Sequence, residues 1–548
     1  MEATYANLLD DMLNMQLLMK RSLPDSMFQN GSDILLEETP FIFILAPGNY
    51  SFAVAALSIL SIGGAFAPLA TGVLPEEACH LLQRCKAGCI LADPQHVPLA
   101  QECQRFAASE GHDVSVIPIR WNGGTGSYTL EDSALVIDPQ RKIAPHRPGL
   151  LLFTSGTSGP PKGVVHPRRL LYNLHELSSP HEVFLSHQAV HWGSATLTLM
   201  GCILGGARME VIAQDARALW ERLREGGVTT LGCSPRVWEQ MMIFYQENLK
   251  WLPHDQHDAY VCGARGLETA LSRGMMPSPS LLRFWREEIG RPLHVCYGIT
   301  ELGATVMRTC DNTDVTLECC IGRPLPGTTI KLSNGNYGEI LIKKSVMFSR
   351  YLGDSKATEA AFDHDGFYRT GDQAYRVGED YILEGRASTD FIRTQGLKVP
   401  ILEVENRLME LPWIAEGCAL PVTDNQLGQR VAVLVRLRSH AEQSLCMDRV
   451  AVERRQAKSY LPLLRHQLGA TLPAFMLPTA LRILVDGEEI PRTPSLKPIR
   501  AKAVKQYFPQ SDDWSLPDDI EVCGPWEHLT SRSPRAWDWS SLVAQKAR

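Results

Sequence analysis

The sequence predicts an α/β protein. A large N-terminal domain of layered α/β subdomains plus a small β subdomain is followed by a small, mobile α+β domain. Three observations carry this. Apolar runs of strand length alternate with helix-length amphipathic segments up to about residue 330. Short strands punctuated by Gly and Asp follow, in SNGNYGEILI, HDGFYRTGD and VGEDYILEGR. An α+β pattern then resumes beyond Arg386, and 548 residues exceed what one hydrophobic core usually serves.

In chain order, FIFIL at 41–45 reads as a strand and 52–62 as a helix. Further strands are expected at 149–154, 228–232, 260–262 and 293–297, with helices at 215–225, 235–248 and 267–289. The expected domains are 1–385, 386–506 and a tail, 507–548, whose Pro, Ser, Asp and Trp carry no period and read as a loosely ordered extension.

Hydrophobic residues make up 44% and charged residues 21%, the composition of an ordinary globular protein. A net charge of -7 gives no electrostatic case for nucleic acid or an anionic membrane. The 14 cysteines include no Cys-x-x-Cys pair, and the spacing of Cys79, Cys85 and Cys89 matches no common zinc pattern. They read as reduced thiols of a cytoplasmic protein. The N-terminus lacks the basic region of a signal peptide, and Lys546-Ala547-Arg548 is no peroxisomal address. Ser58, Ser61, Gly63-Gly64 and Pro68 interrupt the one membrane-like run, 52–70, so no span is expected.

The most informative segment is LLFTSGTSGPPKGVV at 151–165. An apolar strand runs into Thr154-Ser155-Gly156-Thr157-Ser158-Gly159, then Pro160-Pro161-Lys162-Gly163. Hydroxyl groups, backbone N–H groups freed by glycine and one ammonium together suit a triphosphate. The loop is not of Walker type, because Pro161 stands at the second glycine and Gly163 replaces the Ser/Thr. A flexible surface loop is the alternative; it leaves the preceding strand and the blocks downstream unexplained.

With these residues the chain resembles the acyl-adenylate-forming superfamily of acyl-CoA synthetases, peptide-synthetase adenylation domains and luciferases. Other family blocks follow in order: Thr4-Tyr5-Ala6-Asn7-Leu8-Leu9, GGAFAPL at 63–69, Tyr297-Gly298-Ile299-Thr300-Glu301, and Tyr368-Arg369-Thr370-Gly371-Asp372. Gly385-Arg386 opens the hinge block, which runs through Gly396-Leu397-Lys398-Val399, and Pro491-Arg492-Thr493-Pro494-Ser495-Leu496-Lys497 resembles the lysine block. The resemblance covers about residues 4–506 and implies two half-reactions: ATP and a carboxylic acid give an acyl-adenylate, then a thioester forms with CoA.

It also implies roles. Thr154, Ser155, Gly156, Thr157, Ser158, Gly159 and Lys162 would cradle phosphates. Tyr297 would stack on adenine. Thr300 would bond the α-phosphate, and Glu301 would hold Mg²⁺. Asp372 would accept the ribose hydroxyls with Arg386 nearby. Lys497 would bridge the carboxylate and the α-phosphate. On the acyl side, His191-Trp192 resembles the pocket entrance, and Gly263-Ala264-Arg265 resembles the segment beside adenine and the acyl group. Arg265 there either pairs with a second substrate carboxylate or points to solvent.

The chain departs from the family pattern in four places. Members usually carry a few dozen residues ahead of the Thr-Tyr block. Against the family block, one extra residue separates Gly385 from Gly396, which leaves Ser388 or Thr389 as the expected pivot. Leu496 stands where a glycine usually precedes the lysine, and Pro498 follows it. Malonate-activating members carry arginine directly before the Tyr-Gly pair; Cys296 stands here and counts against malonate. The leading expectation is an AMP-forming acyl-CoA synthetase. A stand-alone enzyme loading a carrier protein in trans, a luciferase-like oxygenase and a degenerate nucleotide-binding homologue are the alternatives.

Overall fold

The structure, a computed structural model, describes residues 2–29, 32–38, 40–121, 142–154, 161–174, 178–311, 313–314, 316–386, 390–394, 397–425, 427–438, 459–493, 496–509 and 516–524. These residues form three sheets. The first runs in the order Arg350–Tyr351, Gly163–Pro167, Pro148–Phe153, Ala65–Pro68, Phe41–Leu45, Cys89–Ala92, Ser115–Pro118. Phe41–Leu45 lies in its interior, paired in parallel on both sides and buried at every position, which is why FIFIL shows no alternation. The membrane-like run splits into a helix, Tyr50–Ser61, buried on nearly every face, and the strand Ala65–Pro68.

The second sheet joins parallel and antiparallel halves. Its parallel half is built on Val183–Ser186, Thr230–Cys233, Thr269–Arg273 and His294–Ile299. Its antiparallel half contains Thr328–Asn334, Tyr337–Lys344, Tyr368–Val377 and Asp380–Arg386, the β-rich region expected from the turn-rich texture. Cys320–Pro324 bridges the two halves. Gly322 (φ +76°) crosses so closely there that a Cβ would sit 2.1 Å from the Arg308 carbonyl oxygen.

Two sequence expectations are corrected here. Residues 260–262 are not a strand but part of the helix His254–Arg265, whose Tyr260, Val261 and Ala264 face a core containing Trp220 and Trp285. A three-residue apolar run cannot separate strand from helix face. Residues 267–289 are not one helix. Thr269–Arg273 is a strand between two parallel neighbours, and a helix begins only at Pro279. Gly274, at φ +90°, and the two prolines 277 and 279 are breakers that outweigh the helical periodicity.

The third sheet follows in the order Leu397–Pro400, Phe391–Thr394, Gly428–Leu437, Ala480–Ile483, Glu521–Val522, with Ile414–Asp424 paired to Gly428–Leu437. It has its own core around Trp413, Val433 and Leu464. The expectation of a loosely ordered tail is corrected for residues 516–524. Glu521–Val522 pairs with Ala480–Leu481, and Ile520 and Cys523 are buried. The Glu521 carboxylate accepts from Ser459 Oγ (2.7 Å) and from the backbone N–H groups of Tyr460 (2.9 Å) and Leu461 (2.7 Å), capping the helix Leu461–Leu468.

Ion pairs tie this unit to the larger one. Arg407 donates twice to Glu318, at 2.7 Å each. Glu416 accepts from Arg492 (2.7 Å) and lies 3.6 Å from Arg236 of the large unit. Burial would raise the Glu416 carboxyl, but Arg236, Arg492 and Arg436 together hold it below its usual range. No helix among the described residues is long and apolar enough to cross a membrane.

Candidate active site

The sheets bring the nucleotide-side residues together. Pro148–Phe153 and Gly163–Pro167 form an antiparallel pair joined by the segment expected to be the phosphate loop. Its foot is closed by Thr154 N–H donating to the Lys162 carbonyl (3.0 Å) and Lys162 N–H donating to Thr154 Oγ1 (3.3 Å). Ser155, Gly156, Thr157, Ser158 and Gly159 lie outside the described residues, as do Ser388, Thr389 and Gly396. The Lys162 ammonium sits 5.1 Å from the centroid of the Tyr351 ring. The Tyr351 hydroxyl donates to Glu301 Oε1 (2.8 Å) and lies 3.3 Å from the Tyr368 hydroxyl. Burial, with the Glu301 charge adding, raises both tyrosine hydroxyls well above their usual value, so they stay protonated donors.

Tyr297 and Asp372 meet across the second sheet. Tyr297 is buried, and its hydroxyl donates to Asp372 Oδ2 (2.7 Å); Arg386 Nε donates to Asp372 Oδ1 (2.9 Å). Each carboxylate oxygen keeps a further lone pair, so Asp372 can still accept two hydroxyls. Thr300 and Glu301 occupy the short turn Thr300–Leu302 directly after the strand that carries Tyr297.

Lys497 comes from the third-sheet unit and arrives at the same place. Its side chain is exposed along the cleft, yet the cleft walls crowd the ammonium. That crowding, with repulsion from Arg386, holds it below the usual lysine value, against the pull of Asp372 and Asp390. A tight loop presents it: Thr493 N–H donates to the Lys497 carbonyl (2.8 Å), and Arg492 Nη1 donates to the Leu496 carbonyl (2.7 Å). Leu496 has φ +65°, the left-handed backbone that the missing glycine would adopt without strain.

On the acyl side the structure places the expected residues in two different regions. His191 and Trp192 pack ring against ring (4.6 Å) at the start of the helix Gly193–Gly205. Burial pushes the His191 imidazole down to about 4, so it is neutral. Gly263, Ala264 and Arg265 do not reach the site. They end the helix His254–Arg265, where a Cβ on Gly263 would lie 2.1 Å from the Leu223 carbonyl oxygen and Arg265 Nε donates to the Ile289 carbonyl (2.7 Å). The segment beside Tyr297 is instead the end of Thr269–Arg273, where Arg273 pairs in register with Cys296. Arg273 Nη1 donates to Thr198 Oγ1 (3.0 Å) on the Gly193–Gly205 helix.

A family model described as AMP-binding enzyme matches residues 36–352. The acyl-CoA ligase oryP of Aspergillus oryzae is 36% identical over 95% of this chain and 91% of its own length. The chain belongs to the AMP-binding enzyme family. A malonate–CoA ligase of Arabidopsis thaliana is 26% identical over 73% of this AMP-binding enzyme and 68% of that relative. In fold, the enzyme is similar to ATP-bound MatB from Rhodopseudomonas palustris (TM-score 0.71, 18% identity, 93% and 94% of the two chains). It is also similar to the AMP complex of the Bacillus subtilis o-succinylbenzoate CoA synthetase MenE (TM-score 0.68, 18% identity, 91% and 93%).

Sequence reasoning missed two residues of this AMP-binding enzyme's cleft. Tyr351 lies on a two-residue strand, too short for any period to show; the Arg-Tyr-Leu-Gly run was readable only as a turn. Arg273 was hidden by the helix assigned over 267–289. The Gly-Met-Met-Pro-Ser-Pro sequence that follows it was the available sign that a strand ends there.

Proposed function

We propose that this AMP-binding enzyme is an AMP-forming acid–thiol ligase: it activates a carboxylic acid with ATP and passes the acyl group to CoA, in the cytoplasm. One observation carries the assignment of roles: Tyr297, Asp372 and Arg386 of the large unit converge with Lys497 of the small one in a single cleft. Tyr297 offers adenine a flat face while its hydroxyl is held by Asp372. Asp372 orients the ribose, and Arg386 fixes Asp372. Lys162, at the foot of the phosphate loop, faces the β- and γ-phosphates, and Thr300 the α-phosphate. Magnesium fits the donor set, because Glu301 spends one oxygen on Tyr351 and keeps the other for a hard cation. Bound there, the ion would neutralise phosphate charge.

In the first half-reaction a carboxylate oxygen attacks the α-phosphorus and pyrophosphate leaves. Two anions must approach, and Lys497 bridges them while the closed cleft holds them aligned. In the second, the CoA sulfur attacks the acyl carbonyl carbon, AMP leaves, and the thiol proton passes to solvent. The bridge is then unnecessary, and the small unit can swing away. The thirteen free cysteines among the described residues support a reducing compartment. The test is acid-dependent pyrophosphate release over a panel of carboxylic acids, without thiol, with CoA, and with a phosphopantetheine-bearing carrier protein. Acid-dependent release with CoA thioester as product supports the reading. Thioester on the carrier alone would move the acceptor, and no acid-dependent release with any acid would overturn it.

A further inference from the structure

Among the described residues Arg273 is a cation without an anion. The Gly193–Gly205 helix lies over it, and it sits on the face of the sheet that also carries Gly232 and Cys296. A Cβ on Gly232 would lie 3.4 Å from the guanidinium carbon, so any larger residue there would press on the group. Thr198 accepts one of its N–H bonds, and the Cys296 thiol lies within hydrogen-bond reach. Its Nε is shielded from solvent and bonds nothing among the described residues. No carboxylate among them pairs with it; every other arginine named in the cleft and at the domain interface has one. Arg273 is half-buried with its Nε shielded, so a guanidinium kept there without a counter-charge is costly, and a carboxylate is the partner whose planar geometry matches it. Its place matters equally. Cys296, opposite Arg273, directly precedes Tyr297, so the cation lies next to the nucleotide residues, between them and the helix that begins at Trp192.

We propose that Arg273 binds a second carboxylate on the substrate, and that the acid activated is a dicarboxylate. This rests on the adenylating function above and names the class of acid that enters it. One carboxylate attacks the α-phosphorus, while the other anchors the far end of the molecule against Arg273 and Thr198. A monocarboxylate of the same length leaves the guanidinium unpaired, which penalises it in the same way that a site built for a polar group rejects the analogue lacking it.

The test needs only the wild-type enzyme first. Pyrophosphate release is measured with α,ω-dicarboxylates from about three to ten carbons, each beside its own monomethyl ester, which keeps the length and removes one charge. At least one dicarboxylate should exceed its ester by about 10²-fold in kcat/KM. Arg273→Met should erase that ratio, lowering the diacid and raising the ester, while the KM for ATP and the unfolding midpoint stay near wild type; Arg273→Lys should restore part of it. Equal use of diacid and ester, no release with any diacid, or an unchanged ratio in a folded Arg273→Met enzyme would each overturn the inference. Thioester formation from monocarboxylates alone would leave the ligase reading intact and remove this one. Diacid adenylation without transfer to CoA would do the reverse.

Discussion

Arg236→Ala tests whether charge holds the two units in the arrangement that adenylates. Arg236 Nη2 lies 3.6 Å from Glu416 Oε1, and Arg236 Nη1 lies 3.5 Å from Glu239. At an effective dielectric constant of about 20, unit charges at the first distance attract by about 4–5 kcal/mol. The Arg236 and Glu416 side chains keep 28% and 11% of their surface accessible, and both regain water when the units part. The net contribution therefore falls to about 1 kcal/mol. That is roughly fivefold in the ratio of closed to open enzyme. Without Arg236, Glu239 and Glu416 also face each other with Arg492 and Arg436 as the remaining cations, and burial already raises the Glu239 carboxyl. Acid-dependent pyrophosphate exchange reads the first half-reaction, and thioester formation from preformed acyl-AMP and CoA reads the second. Exchange should slow by about fivefold, with thioester formation unchanged or faster. Equal slowing of both, or no change in either, would refute the reasoning.

The other predictions separate the remaining roles. Lys497→Ala should cut adenylate formation by about 10²–10³ while thioester formation from preformed acyl-AMP stays near wild type; equal losses would assign Lys497 to closure or folding instead. Glu301→Gln should raise the magnesium concentration needed for ATP use without lowering the unfolding midpoint, and an unchanged magnesium titration would remove Glu301 from the metal. Leu496→Gly should alter unfolding stability by less than about 1 kcal/mol, because relieved strain and added chain entropy oppose each other, whereas Leu496→Val should cost about 1–2 kcal/mol more. Equal urea midpoints for the two variants would show that φ +65° carries no strain. Burial pushes His166, His187 and His191 down to about 4 from an ordinary value near 6.5. The unfolded chain therefore binds more protons between those values. Stability should be full above pH 6.5 and fall as pH drops toward 4, by at most about 1.4 kcal/mol per pH unit for each histidine. A urea midpoint flat from pH 7.5 to 5 would contradict it.

What was legible in the sequence was local. The Thr154–Gly163 loop, the Tyr297-Gly298 and Asp372 blocks and the buried FIFIL strand each rest on a few adjacent residues whose chemistry or period speaks for itself. The structure brings Tyr297, Asp372, Arg386 and Lys497 into one cleft although Tyr297 and Lys497 are far apart in the chain. The acyl side was not legible in this way. Gly263-Ala264-Arg265 matched in composition, but tertiary packing made it a helix end, and the strand Thr269–Arg273 exists because two parallel neighbours pair with it. The Arg273–Cys296 juxtaposition is a matter of register between strands, which no single-strand pattern contains.

The strand Glu521–Val522 makes residues 516–524 part of the lysine-bearing unit. A probe on that strand would move with Lys497 in any rotation of the unit. Cys262 is the exposed thiol among the described cysteines, and it sits on the large unit. A dye on Cys262 and another at the exposed Val522 would thus form a ruler between the two units, reporting any rotation of one against the other.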